Sequence, residues 1–140
     1  MTIEEIFNEL NELDEHPRIE AKTSTALGES VLETICAHAN EPGLGGGYIL
    51  AGVEQNPNSL IPMDYRAVGV PNPDKLQSDI ATQCATIFNA PIRPSITVGT
   101  LKNARVVLIQ IAEAQPAEKP IYFKSKGLPG GAFRRIGSTD

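Results

Sequence analysis

Three glutamates and one lysine are the residues whose types and order first point to chemistry. Glu20 and Lys22 share one side of a predicted strand, because side chains two positions apart lie on the same strand face. Glu15 precedes that strand, and Glu54 follows a second apolar segment expected in the same sheet. Carboxylate oxygens are preferred ligands of Mg²⁺ and Mn²⁺, ions that neutralise a scissile phosphate and activate water. Glu15, Glu20 and Glu54 are therefore hypothetical catalytic and metal-binding residues.

The same residues also allow a structural interpretation. Arg18, Glu20 and Lys22 would then form a solvated strand face whose charges pair with one another and contribute little stability. The alternation of charged and apolar residues is compatible with both interpretations.

Basic and aromatic residues near the C-terminus form a second candidate site. Residues 119 to 139 contain five cations and no acid. Cations can contact the phosphates of a nucleic acid, and rings such as those of Tyr122 and Phe133 can stack on its bases. An ordinary solvated hairpin is the alternative. The residues expected to bind nucleic acid are Lys22, Lys124, Lys126, Arg134 and Arg135.

Other reactive residue types lack the spacing of a known site. His16 and His38 have no cysteine or histidine partner at a metal-ligand spacing, which argues against zinc. We expect His38 to face solvent or to cap a carbonyl. Cys36 and Cys84 lie on apolar helix faces and are expected to be buried thiols, which is typical of a reducing, cytoplasmic setting.

A glycine loop, Pro42–Gly47, is a third candidate, because successive backbone N–H groups can cradle a phosphate. Dinucleotide-binding and Walker loops run from a strand into a helix, whereas this loop runs from a helix into a strand. We interpret it as a structural turn, with the phosphate cradle as the alternative.

The charge of the chain is unevenly distributed. The 140 residues have a formal charge of −5, but residues 1–15 alone contain six acids and no Lys or Arg. The rest of the chain is therefore close to neutral, with a basic C-terminal end. No run of 18 apolar residues and no export signal is visible, so no membrane partner is expected. The length predicts one domain, residues 1–140.

Hydrophobic periodicity predicts helices and strands packed in layers, an α/β or α+β arrangement. The apolar segment Tyr48–Val53 is expected to be a strand covered on both faces. Helices are predicted at Thr2–Leu13, Glu29–Ala39 and Pro73–Asn89, and the other strands at Arg18–Lys22, Tyr65–Val70, Ile96–Leu101, Arg105–Ala112, Pro120–Lys126 and Ala132–Ile136.

Several short motifs in order resemble the Schlafen AlbA_2 domain family. They are Glu15-x4-Glu20-Ala-Lys22, Ile35-Cys-Ala-His-Ala-Asn40, Gly46-Gly-Tyr-Ile-Leu-Ala-Gly-Val-Glu54, Pro120-Ile-Tyr122 and Phe133-Arg-Arg-Ile-Gly-Ser-Thr139. The resemblance implies an α+β (mixed α/β) fold, with a single layer of mixed sheet packed by two to three helices. It also implies a DNA-binding domain of the transcriptional-regulator type.

In the eukaryotic Schlafen branch, the related fold cleaves structured RNA with three acids, which correspond by motif to Glu15, Glu20 and Glu54. The chain departs from the family pattern in having Ala21 where an aromatic is usual and Glu54 where Asp is usual. It also has a longer glycine loop.

Three functional hypotheses follow. The favoured one is a nucleic-acid-binding module, for DNA or RNA, that uses the basic C-terminal residues and Lys22. The second is an endoribonuclease dependent on Mg²⁺ or Mn²⁺ that uses the three glutamates. The third is a protein-interaction module whose acidic first helix packs on a partner or on a second copy in a homo-oligomer.

Overall fold

The computed structural model describes residues 1–23, 27–61, 63–128 and 130–135. Within these ranges the chain forms helices, strands and one short 3-10 helix, Pro116–Glu118. The helices are α1 (Ile3–Leu13), α2 (Glu29–Asn40) and α3 (Pro73–Cys84), and the strands are β1 (Ile19–Lys22), β2 (Gly47–Ala51), β3 (Val53–Gln55), β4 (Tyr65–Ala67), β5 (Ser95–Leu101) and β6 (Ala104–Ile111).

A four-stranded mixed sheet in the order β1-β2-β6-β5 is the centre of the fold. β1 runs parallel to β2, whereas β6 pairs antiparallel with both β2 and β5. Lys102 and Asn103 both have positive φ, of 50° and 67°, and form the tight turn between β5 and β6. The predicted α+β fold with one mixed sheet is confirmed.

Helix α1 covers one face of this sheet. Thr2 begins it with a reciprocal cap, in which the Thr2 hydroxyl accepts from the Glu5 N–H at 3.1 Å and the Glu5 carboxylate accepts from the Thr2 N–H. Its apolar side packs on residues from β1, β2, β5 and β6, and the exposed acids Glu4, Glu5 and Glu12 lie on its other side. The negative end of the chain thus lies on one face of the sheet.

Helices α2 and α3 cover the opposite face. Ile49 of β2 and Ile109 of β6 are fully buried there, against apolar side chains of both helices. Because β2 is covered on both faces, every one of its residues is buried, as its continuous apolar sequence predicts. None of the helices within the described ranges is both long and apolar enough to cross a bilayer.

Gly52 ends β2 and separates it from β3. Its φ of +94° turns the chain, its N–H donates to the Lys22 carbonyl at 2.8 Å, and its carbonyl accepts from Val68 at 2.8 Å. β3 therefore pairs with β4 in a separate two-stranded sheet. The prediction that the strand before Glu54 shares a sheet with the strand of Glu20 is confirmed, because β1 and β2 pair in parallel. Glu54 itself follows this turn and lies in β3.

The C-terminal segment also differs from prediction. Instead of two strands, it has isolated bridges between Tyr122 and Ala132 and between Phe88 and Phe123. The chain turns after Phe123, whose carbonyl accepts from the backbone N–H of Lys126 at 3.1 Å. The predicted end of the second strand, residue 136, lies outside the described residues.

Helix α3 is shorter than predicted and ends at Cys84 rather than at Asn89. Asn72 caps its first turn, because the Asn72 side chain accepts from the Lys75 N–H at 3.1 Å. The helix does not continue to Asn89, because backbone groups there bond elsewhere. The Cys84 carbonyl accepts from the Ile92 N–H at 2.9 Å, and the Asn89 N–H donates to the Tyr122 carbonyl.

Gly46 provides a test of the junction between the glycine loop and the sheet. Gly46 has a φ of +82°, and a Cβ added there would lie 2.0 Å from the Ile111 carbonyl oxygen. We expect Gly46→Ala to lower the free energy of unfolding by roughly 2–5 kcal/mol, because it combines a clash with backbone strain. Urea denaturation measures the change. Gly130→Ala is the control, because nothing lies within 4 Å of a Cβ there, and equal losses in both variants would contradict this account.

Candidate functional site

Glu20 is buried on the α2 side of the sheet, with 8% of its surface exposed. Its carboxylate accepts from the Thr34 hydroxyl at 2.8 Å, pairs with Lys22 at 3.1 Å and pairs with Arg135 at 3.3 Å. A buried charge requires such partners because it has lost its hydration. The expected solvated strand face is therefore wrong for Glu20.

Arg135 is also buried, with 2% of its surface exposed. Besides Glu20, its guanidinium donates to the carbonyls of Pro17 at 3.2 Å and His16 at 3.4 Å. Arg135 thus joins the C-terminal segment to the start of β1. A phosphate in solvent does not reach it in this arrangement.

Glu15 and Glu54 border a cavity of about 340 Å³ together with Lys22. The Glu15 carboxylate accepts from the Ala21 N–H at 2.9 Å. Burial raises the pKa of Glu15, and the nearby charge of Glu20 raises it further. Glu54 pairs with Arg66, whose Nε and Nη2 lie 2.9 and 2.6 Å from one carboxylate oxygen.

The three glutamates do not form a ready set of metal ligands. Within the described ranges, no three His, Cys, Asp or Glu side chains are arranged to hold one ion. Both carboxylate oxygens of Glu20 already contact other side chains. Binding of Mg²⁺ or Mn²⁺ by these carboxylates stays a prediction, and it requires Glu20 and Glu54 to change partners.

Two of the predicted cations contact neighbouring residues at the N-terminal end of α2. The Lys22 ammonium donates to the Ser30 hydroxyl at 2.8 Å, and the Lys126 ammonium pairs with the adjacent Glu29. Gly28, at the N-cap, has no side chain to cap the helix. The backbone N–H groups at this end carry a partial positive charge, which adds to that of the lysines.

The other C-terminal cations lie elsewhere. Arg134 is exposed and pairs with Glu41 beyond the other end of α2, through contacts of 3.0 and 3.1 Å. Lys124 is exposed. Lys126 stacks over Phe123 at 5.1 Å and Phe133 at 5.8 Å from the ring centroids. The rings predicted to stack on bases, those of Tyr122 and Phe133, are both half-buried.

The prediction that His38 faces solvent is wrong, whereas the prediction that Cys36 and Cys84 are buried thiols is confirmed. His38 is fully buried, because its ring fills the space that a side chain at Gly47 would occupy. Cys36 and Cys84 are buried free thiols, and burial raises the pKa of Cys84 to about 12. His16 faces Glu9 at 2.9 Å.

Glu113 is a site residue that sequence reasoning missed. Its carboxylate accepts from the N–H of Gly45 at 2.9 Å and of Gly43 at 3.3 Å. The glycine loop therefore holds an anion, but one supplied by the chain itself. The sequence contains no signal for this contact, because the two segments are 68 positions apart.

A family model described as Schlafen, AlbA_2 matches residues 15–140. The chain belongs to the Schlafen AlbA_2 family. The match includes Glu15, Glu20, Glu54 and all the C-terminal cations discussed above. The resemblance that was based on the motif order is thereby confirmed.

Solved structures of similar fold include a close relative of this AlbA_2 domain. It is the solution NMR structure of the N-terminal domain of the putative ATP-dependent DNA helicase RecG-related protein from Nitrosomonas europaea. That domain is 48% identical, with a TM-score of 0.80, over 97% of this chain and 89% of its own.

The crystal structure of the DIP2311 protein from Corynebacterium diphtheriae is more distant. It is 20% identical, with a TM-score of 0.54, over 87% of this chain and 24% of its own. It is similar in fold alone. Among curated proteins, none matches this chain.

The adjacent Arg134 and Arg135 allow a matched test of burial in this AlbA_2 domain. Arg135→Ala leaves Glu20 buried without one of its two cations, so we expect a loss of roughly 3 kcal/mol in the free energy of unfolding. Arg134→Ala removes an exposed pair and should cost less than about 1 kcal/mol. Urea denaturation followed by circular dichroism measures both values. Similar losses in the two variants would show that the buried pair has no special role.

Proposed function

We propose that this AlbA_2 domain binds nucleic acid through phosphate contacts at the N-terminal end of α2. The observation that carries the proposal is that Lys22 and Lys126 contact the neighbouring residues Ser30 and Glu29 there. Two ammonium groups beside a helix N-terminus form a surface suited to a phosphate oxygen. DNA binding is also what the family resemblance implies, and the NMR relative is the N-terminal domain of a helicase-related protein.

The two lysines at this end of the molecule pair with Glu20 and Glu29. The acids of α1 lie on the opposite face of the sheet, away from α2, so they do not directly oppose a phosphate at this site. Exposed Lys124 lies two positions from Lys126 and extends the same cationic segment. A strand of nucleic acid that crosses the end of α2 would therefore meet cations from two parts of the chain.

The pairing of Lys126 with Glu29 sets the strength of the proposed contact. A phosphate must compete with that carboxylate for the ammonium, and the Glu29 side chain is 60% exposed. Removal of the Glu29 charge should therefore strengthen binding, whereas removal of the Lys126 charge should weaken it. Opposite effects from two paired residues are difficult to explain by a loss of stability.

The test measures the affinity of the wild type, Lys126→Ala and Glu29→Gln for duplex DNA and for RNA over a range of salt concentrations. Lys126→Ala should weaken binding and reduce the slope of log K against log salt by about 0.9 on duplex DNA. Glu29→Gln should strengthen binding by up to about fivefold, the value of an exposed ion pair. Fluorescence anisotropy with labelled oligonucleotides measures both effects.

Lys102→Ala is the matched control for this test. Lys102 is exposed at the turn between β5 and β6, on the opposite edge of the sheet from β1. Lys102→Ala removes the same positive charge as Lys126→Ala. It should leave the salt slope unchanged. Binding that is independent of salt, or equally reduced by Lys102→Ala and Lys126→Ala, would contradict the proposed interface.

Metal-dependent cleavage of RNA is the second candidate function. One observation favours it, namely that Glu15, Glu54 and Lys22 border the same cavity. With structured RNA and Mn²⁺, we expect the wild type to give products that disappear with EDTA and in Glu54→Gln. Gel electrophoresis measures the products, and Glu12→Gln, an exposed acid of α1, is the control. Identical products from the wild type and Glu54→Gln, or no cleavage, would exclude this function.

A further inference from the structure

The glycine loop binds an oxyanion, and in this fold that anion is the Glu113 carboxylate. Gly43 and Gly45 have φ values of +76° and +78°, a conformation that glycine adopts without strain. Each directs its N–H to a different oxygen of Glu113, at 3.3 and 2.9 Å. Successive N–H groups that converge in this way form an anion-binding concavity.

Lys119 completes this site with a full positive charge. Its ammonium lies 2.7 Å from the same Glu113 oxygen that Gly43 contacts, and only 17% of the Lys119 side chain is exposed. The hydrogen bond from Lys119, and then those from Gly45 and Gly43, lower the pKa of Glu113. The surroundings of this carboxylate therefore favour negative charge.

A cavity of about 360 Å³ adjoins the anion site. Lys119 belongs to both, because it contacts Glu113 and also lines the cavity. Pro42, the first residue of the glycine loop, lines the cavity as well, with Pro120 and Ala132 as further apolar wall. Arg134, which pairs with Glu41, also lines the cavity.

We propose that the glycine loop, Lys119 and this cavity form a binding site for a small phosphate monoester. Its phosphate takes the position of the Glu113 carboxylate, and its apolar part enters the cavity between Pro42, Pro120 and Ala132. This site is separate from the proposed nucleic-acid interface, because it lies beyond the other end of α2.

The chemistry selects a phosphate over a carboxylate ligand. A carboxylate would only repeat the contacts of Glu113, which has the advantage of being held in the same molecule at high effective concentration. A phosphate dianion has more charge and a third oxygen for Lys119 or Arg134. Glu113 thus acts as an internal competitor, and its removal should unmask the site.

The experiment follows the backbone amides of Gly43 and Gly45 by ¹⁵N–¹H NMR in the whole chain, with inorganic phosphate and phenyl phosphate as probes. In Glu113→Gln we expect saturable shifts of both amides and at least tenfold tighter binding than in the wild type. Phenyl phosphate should bind more tightly than inorganic phosphate, because only its ring reaches the apolar wall. The dispersion of the spectrum also reports whether the variant is folded.

Glu118→Gln is the matched control, because it removes a nearby exposed acid that does not contact the glycine loop. It should bind both probes as the wild type does. Glu113→Asp, which keeps the charge but shortens the side chain, should give an intermediate affinity and replaces Glu113→Gln if that variant does not fold.

Adding Lys119→Ala to Glu113→Gln should abolish binding. The proposal fails if the amides of Gly43 and Gly45 do not shift, or if wild type and Glu113→Gln bind equally. It also fails if phenyl phosphate has no advantage over phosphate. None of these results depends on whether the α2 end binds DNA or RNA.

Discussion

The buried pair between Glu20 and Arg135 is the interaction on which the arrangement of this domain depends. One partner lies on the edge strand β1 and the other in the C-terminal segment, 115 positions later. Thr34 joins the pair to α2. Neither charge could remain buried alone, because the loss of hydration would be too costly. The buried ion pair therefore joins the edge of the sheet to α2 and to the end of the described chain. These three parts are not held together by apolar contacts alone.

The same logic applies to the rest of the C-terminal segment. Lys119, Lys126 and Arg134 each pair with an acid from an earlier part of the chain. A segment that is strongly basic in sequence thus becomes nearly balanced in the fold. Its capacity to attract phosphate depends on how easily those acids release their partners, and not on the number of cations. Exposed pairs release more easily than buried ones, which separates Lys126 and Arg134 from Arg135.

Local patterns predict much of the fold but little of the site. The periodicity of α1 and the apolar run of β2 are sufficient to predict these two elements. Consecutive residues show whether an element is buried on one face or on both. The order of the short motifs was sufficient to identify the family. The burial of Glu20 and the contact between Glu113 and the glycine loop depend on residues 115 and 68 positions away, and no periodicity reports such pairs. The sequence shows a glycine at position 52, but the role of Gly52 in separating the two sheets depends on its hydrogen bond with Val68.

The two proposed anion-binding sites lie at opposite ends of helix α2. Its first turn meets Lys126, and its last residue, Asn40, donates to the carbonyls of Ile121 and Phe133 at 2.9 Å. The C-terminal segment therefore contacts α2 at both of its ends. Occupancy at one end that displaced the helix along its axis would change the affinity at the other, and thermodynamic reciprocity requires the effect to be equal in both directions.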